Sequence, residues 1–162
     1  MEKLAALTER ALKVFTGTLL AAMVVVILLQ VTFRYALNLS LAWTEEVGRY
    51  LFVWICLFGA SLAYRYGQHS GYETLVAALP AAAGRWVTRG VDVLVAVFSV
   101  VLIVSSRELI EAGMGQVTPA TQFRIAYVYL AFPVSAVATL VFVADALRRG
   151  KPTSPTPTAA VG

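Results

Sequence analysis

Trp43-Thr44-Glu45-Glu46-Val47-Gly48-Arg49-Tyr50 is the densest group of chemically capable side chains in the sequence. On a helix, Glu45 and Arg49 stand four residues apart and Glu46 and Arg49 three, so one guanidinium can serve either carboxylate. Acidic residues in a first helical turn also suit the positive end of the helix dipole. Two readings stand side by side. One is a charged, aromatic-anchored helix start at a membrane interface. The other is a recognition surface for another membrane protein, on which the carboxylate without an arginine carries a spare negative charge. Catalysis by the carboxylate pair is the poorest reading, because no histidine, nucleophile or metal cluster accompanies it. His69 stands in Arg65-Tyr66-Gly67-Gln68-His69-Ser70-Gly71-Tyr72-Glu73, where the glycines and serine mark a turn. A lone loop histidine more often caps or hydrogen-bonds than binds a metal. Arg107 and Glu111 have the spacing of an interfacial ion pair beside Glu108. Cys56 is the only cysteine and His69 the only histidine. That excludes an internal disulfide framework, a multi-cysteine metal centre and a haem held by two histidines. The chain reads as no enzyme, with no cofactor and no metal.

The elements that position these groups are apolar. Hydrophobic residues make up 59% of the 162 and charged residues 14%, against about 45–50% and 25% in soluble domains. A water-soluble fold of this length would need more charge to cover it. The net charge of +4 comes from basic residues between apolar blocks and at the termini rather than on one stripe, which speaks against a nucleic-acid partner. Val14–Phe33 and Ile125–Ala144 are each 20 residues without a charge, the length that crosses a bilayer core of about 30 Å. Tyr50–Tyr64 and Val93–Ser106 are shorter. Extended back to Trp43 and Trp86 they reach spanning length, with tryptophans where aromatic belts form. The expectation is an all-α integral membrane protein with four transmembrane helices, at about 13–35, 43–65, 86–109 and 125–147, in one membrane domain over 1–149. The first block exceeds the apolar core of a signal peptide and lacks a small-residue cleavage site, so it reads as an uncleaved span.

Lysine and arginine set the orientation. Lys3, Arg10, Lys13, Arg65, Arg85, Arg89, Arg148, Arg149 and Lys151 fall on one side of a four-span fold, and Arg34, Arg49, Arg107 and Arg124 on the other. The excess of Lys and Arg in cytoplasmic segments then puts both termini in the cytoplasm. Between spans 2 and 3 a short interfacial helical segment, Tyr72–Leu79, ends at Pro80. The Pro/Thr-rich segment 150–162 reads as a disordered cytoplasmic tail. Gly17-x-x-x-Ala21 and Gly59-x-x-x-Ala63 have the small-residue spacing of close helix packing. The centres of all four spans carry no ionisable residue, and Gln30, Pro133 and scattered Ser and Thr are the only polar or helix-breaking residues there. Ion-coupled carriers place ionisable groups or broken helices at that depth. The chain thus reads as an accessory subunit rather than a transport path.

Four ordered segments resemble one family. They are Val31-Thr32-Phe33-Arg34-Tyr35; Leu41 through Trp54 with its Trp-Thr-Glu-Glu; Arg65 through Leu75, with His69 and Glu73; and Thr118-Pro119-Ala120 followed by Val128 through Val134. Together they resemble the small permease subunit (DctQ-like) of tripartite ATP-independent periplasmic (TRAP) transporters, over nearly the whole chain up to the tail. Two departures stand out: Glu73 where the family commonly has Asp, and Thr121-Gln122-Phe123-Arg124 where a Leu-Gly-Ile-Pro-like turn is usual. The resemblance implies a bacterial inner-membrane protein surrounded by lipid. It implies a large permease partner that carries the substrate and sodium sites, and a periplasmic substrate-binding protein that delivers an organic anion such as a dicarboxylate or sugar acid. The small subunit would be a non-catalytic scaffold, with Trp43, Glu45, Glu46, Arg49, Tyr50 and Trp54 as a subunit-interface or helix-start motif. A structural or anchoring subunit of another membrane complex is the alternative.

Overall fold

A computed structural model describes residues 2–39, 41–66 and 81–149. They form helices α1 (Glu2–Ala36), α2 (Ala42–Arg65), α3 (Ala81–Met114), α4 (Ala126–Tyr129) and α5 (Ala131–Arg149). Four stretches are long and apolar enough to cross a membrane: Lys3–Ala36, Ala42–Arg65, Trp86–Met114 and Ala126–Arg148. The fold is therefore the all-α, four-span type read from the sequence. Among the described residues the only β pairing is an isolated antiparallel bridge, Val117 to Arg124. The proposed interfacial segment Tyr72–Leu79 and the tail 150–162 lie outside the described residues, as do His69 and Glu73.

Each helix end has a local cause. Asn38 takes the left-handed conformation (φ 51°) that asparagine tolerates. It ends α1, and the Leu39 N–H turns back to the Phe33 carbonyl at 3.0 Å. At the start of α2 the Thr44 hydroxyl donates to the Leu41 carbonyl at 2.7 Å. Pro133 has no N–H to give Tyr129, and its ring would crowd that carbonyl. The helix accordingly breaks at Leu130, yet Leu130 keeps helical angles (φ −60°, ψ −20°), so α4 and α5 continue as one span.

The α1 helix has 35 residues and α3 has 34, so each is roughly 50 Å long at 1.5 Å per residue. The charge-free block Val14–Phe33 is only the middle of α1. Its first turns stay helical while Ala5 and Leu12 are buried against the rest of the chain.

The helices α1, α2 and α5 pack against one another, with α1 only lightly on α5, and α3 packs against α5. Among the described residues, α3 does not bring its backbone alongside α1 or α2. The inner member is α5, with 44% of its apolar stretch buried against none for α1. Ala131, Ala136, Ala138, Phe142, Val143 and Ala146 form its buried face. Val24, Val25 and Leu28 of α1 and Leu94, Phe98, Val101 and Val104 of α3 face outward. In lipid this costs nothing, because acyl tails are as apolar as leucine.

Candidate subunit interface and the clamps around it

The Trp43–Trp54 segment divides among three surroundings. Glu46 is spent inside the chain. One of its oxygens accepts the Ala120 N–H at 3.0 Å, and the other accepts the Thr121 N–H at 3.0 Å and the Thr121 hydroxyl at 2.8 Å. That hydroxyl has one proton and gives it to Glu46, so the Thr118 hydroxyl, 2.7 Å from it, must be the donor between the two threonines. Thr118 in turn accepts the Phe123 N–H at 3.2 Å. The result is a directed chain of hydrogen bonds from a loop amide to a carboxylate, in which each bond polarises the next.

Glu45 instead takes Arg49, at 3.1 Å, with both side chains about two-thirds exposed. Trp43 is exposed as well. Trp54 packs edge-to-face with Phe15 and Phe58, with ring centroids 6.2 and 5.3 Å away. Glu45 and Trp54 are nine residues apart, two and a half helical turns, and therefore point to opposite sides of α2. Tyr50 lies partly buried between them. The open side continues from Glu45 and Arg49 through Phe52, Cys56 and Ala60, all exposed. Gly48 and Gly59 have nothing within 4 Å of where a Cβ would stand.

The loop that Glu46 holds is a tight hairpin. The Thr118 N–H bonds Phe123 O at 3.0 Å, and the Ile125 N–H bonds Gln116 O at 3.1 Å. Gln122 sits at φ 55°, a conformation that costs a non-glycine residue roughly 1–2 kcal/mol. Gln122 stands where the resemblance puts a glycine, so the turn keeps its left-handed residue without the residue type that adopts it freely. The close helix approach is not at Gly17 or Gly59, which have open space beside them, but at Gly113. A Cβ there would fall 2.8 Å from Tyr129 Cδ2 and 2.9 Å from the Ala126 nitrogen. Arg107 and Glu111 stand exposed and, contrary to their spacing, are not among the ion pairs of the described residues.

At the opposite end of α2 lies a second clamp. Arg65 donates from Nε to Glu9 of α1 at 3.1 Å and from Nη1 to Asp145 of α5 at 2.9 Å. The Tyr66 hydroxyl donates to Glu9 at 2.7 Å, and Lys13 pairs with Glu9 at 2.8 Å while standing over the Tyr66 ring. The Tyr64 hydroxyl donates to Asp92 of α3 at 2.7 Å. Sequence reasoning used Arg65 only as an orienting charge and missed Glu9 and Asp145. The available signal was an aspartate directly after the charge-free block Ile125–Ala144. Between the two clamps, the buried Ser61 hydroxyl donates toward Ser135 O at 3.1 Å and accepts from the Thr139 hydroxyl at 2.9 Å, joining α2 to α5. Among the described residues no three His, Cys, Asp or Glu side chains gather as a metal site would.

Fold and contacts together define a multi-pass helical membrane protein whose polar groups mostly fasten its own helices. A sequence model for the DctQ component of tripartite ATP-independent periplasmic transporters matches residues 23–151, and the chain belongs to that family of transporter components. Two similar proteins of Haemophilus influenzae are described as TRAP transporter small permease proteins. One is 39% identical over 80 residues, 49% of this chain and 50% of the relative, so the match spans half of that relative's length. The other is 25% identical over 135 residues, 83% and 82% of the two chains. The sialic acid TRAP transporter small permease protein of Vibrio cholerae is 35% identical over 57 residues, 35% of this chain and 33% of that one.

Proposed function

We propose that this chain is a non-catalytic brace for a large TRAP permease, and that it binds that subunit through the open face of α2. The observation that carries this reading is the Glu45–Arg49 pair, left exposed at the head of an apolar stripe that none of the described residues covers. Open space beside Gly48 and Gly59 lets a neighbouring helix approach closely. Glu46 and Trp54 serve the chain's own packing. Of the segment's members, Trp43, Glu45 and Arg49 are the ones free to meet a partner. The reading includes both termini in the cytoplasm, a single membrane domain over 1–149 in the bacterial inner membrane, and a periplasmic binding protein as third component. It also includes sodium-coupled uptake of an organic anion; the sialic acid relative supports an organic acid as cargo.

The test is co-purification from membranes. Gly59→Leu together with Glu45→Arg should leave this chain folded and in the membrane while its yield with the large permease drops at least several-fold. Restoring charge with Glu45→Arg plus Arg49→Glu on native Gly59 should return most of the assembly if the ion pair alone is recognised. Full assembly and uptake with Gly59→Leu and Glu45→Arg would move the interface to another face.

A further inference from the structure

On the other side of α2 from Glu45 and Arg49 lies a groove of about 640 Å³. Its walls are α1 from Leu7 to Phe15 and α5 from Val134 to Val141, its floor is Trp54 and Phe58, and every lining residue except Thr8 is apolar. It is an open groove between α1 and α5, which also touch each other.

Its lining speaks to its occupant. At about 1.5 Å per residue its walls are roughly 10–12 Å long. Walls of that length and an apolar lining suit the first part of a narrow, flexible acyl chain. Its end carries a second signal. Arg65 bonds both Glu9 and Asp145, so the start of α1 and the end of α5 lie at the same end of the molecule. Lys3 is one turn before Leu7, and Arg148 is seven residues after Val141, two turns along nearly the same face. Both are exposed, and neither is among the ion pairs of the described residues.

We propose that the groove holds an acyl chain of an anionic phospholipid, whose phosphate sits between Lys3 and Arg148. The edge-packed rings of Phe15, Trp54 and Phe58 supply the apolar floor, and the two cations supply the headgroup preference that a bare apolar slot would lack. The proposal needs only that the chain spans a bilayer. It does not rest on the open face of α2 being the one that meets the large permease.

Trp54 reports on it directly. With Trp43→Phe and Trp86→Phe, Trp54 is the sole tryptophan, and bromine on a lipid acyl chain quenches an indole it touches. In phosphatidylcholine vesicles, brominated phosphatidylglycerol should quench Trp54 at about 30-fold lower mole fraction than brominated phosphatidylcholine, as two cations facing an anionic lipid imply. Lys3→Gln with Arg148→Gln should erase the difference. Equal quenching by the two lipids overturns the proposal, as does a preference that survives removal of both cations. Loss of quenching when the large permease is bound would assign the groove to protein and overturn it too. Native mass spectrometry of the unmutated chain is an independent check. Phosphatidylglycerol should remain bound at energies that strip phosphatidylcholine, and loss of both together counts against the site.

Discussion

Glu45 and Glu46 are chemically identical neighbours with different work. Spacing makes either a partner for Arg49, and nothing within the segment chooses between them. The choice is made by Ala120 and Thr121, whose amides present two donors where Glu46 ends and none where Glu45 ends. Glu46→Ala should therefore expose the Ala120 and Thr121 amides to markedly faster hydrogen exchange and loosen the hairpin. Glu45→Ala should leave those amides unchanged, and it should alter stability by no more than the few tenths of a kcal/mol typical of exposed i,i+4 pairs. Equal exchange in both variants would mean that the carboxylate does not hold the loop. The chemistry of the segment was thus legible in the sequence, but its division of labour was not, because the deciding groups lie 74 and 75 residues away. Gln122 was legible as a departure in a turn. Its left-handed backbone follows from the hairpin's hydrogen bonds rather than from its own preference.

Apolar length gave the helices their number and approximate places, and charge hid their ends. Arg85, Arg89 and Asp92 cut the third apolar run short, whereas α3 begins at Ala81, since side chains at a helix end can reach the interface. Close packing was the harder inference. Small-residue spacing pointed to Gly17 and Gly59, but spacing states only that an approach is possible, and the neighbour was not in view. In the fold α3 and α4 meet at Gly113, followed by a hairpin that turns the chain straight back. Gly113→Ala should destabilise by about 1–3 kcal/mol, the usual range for overpacking, because the Ala126 backbone nitrogen cannot swing aside. Gly59→Ala should be neutral or slightly stabilising, since alanine favours helix and meets nothing. Thermal unfolding in mild detergent separates the two. A harmless Gly113→Ala would show that the α3–α4 contact yields easily.

Across the whole molecule, a small apolar core lies between α1, α2 and α5, and polar contacts fasten α2 at both ends and in the middle. Arg65 faces two carboxylates that are mostly shielded from water. Arg65→Met should then cost about 3 kcal/mol, by leaving Glu9 and Asp145 without their shared cation. Adding Glu9→Gln and Asp145→Leu should recover most of the loss, because an apolar replacement of a buried ionic group is often neutral. If the triple variant is no more stable than Arg65→Met, the clamp is packing rather than charge. Apart from the Glu9–Lys13 pair, four residues apart, this network could not be assigned from spacing, for Arg65 lies 56 and 80 residues from its two carboxylates. Those separations also order events in time. Ala120 and Asp145 are made well after α2 has left the ribosome, and at about 5–20 residues per second a stretch of 74 to 80 residues takes roughly 4–16 s. For those seconds α2 has α1 beside it, with Glu9 already in reach of Arg65, while Glu46 and the second arm of Arg65 wait for partners not yet synthesised. The first two spans enter the bilayer as a provisional pair; the hairpin at Ala120 and Thr121 then closes one latch and Asp145 of the last span the other.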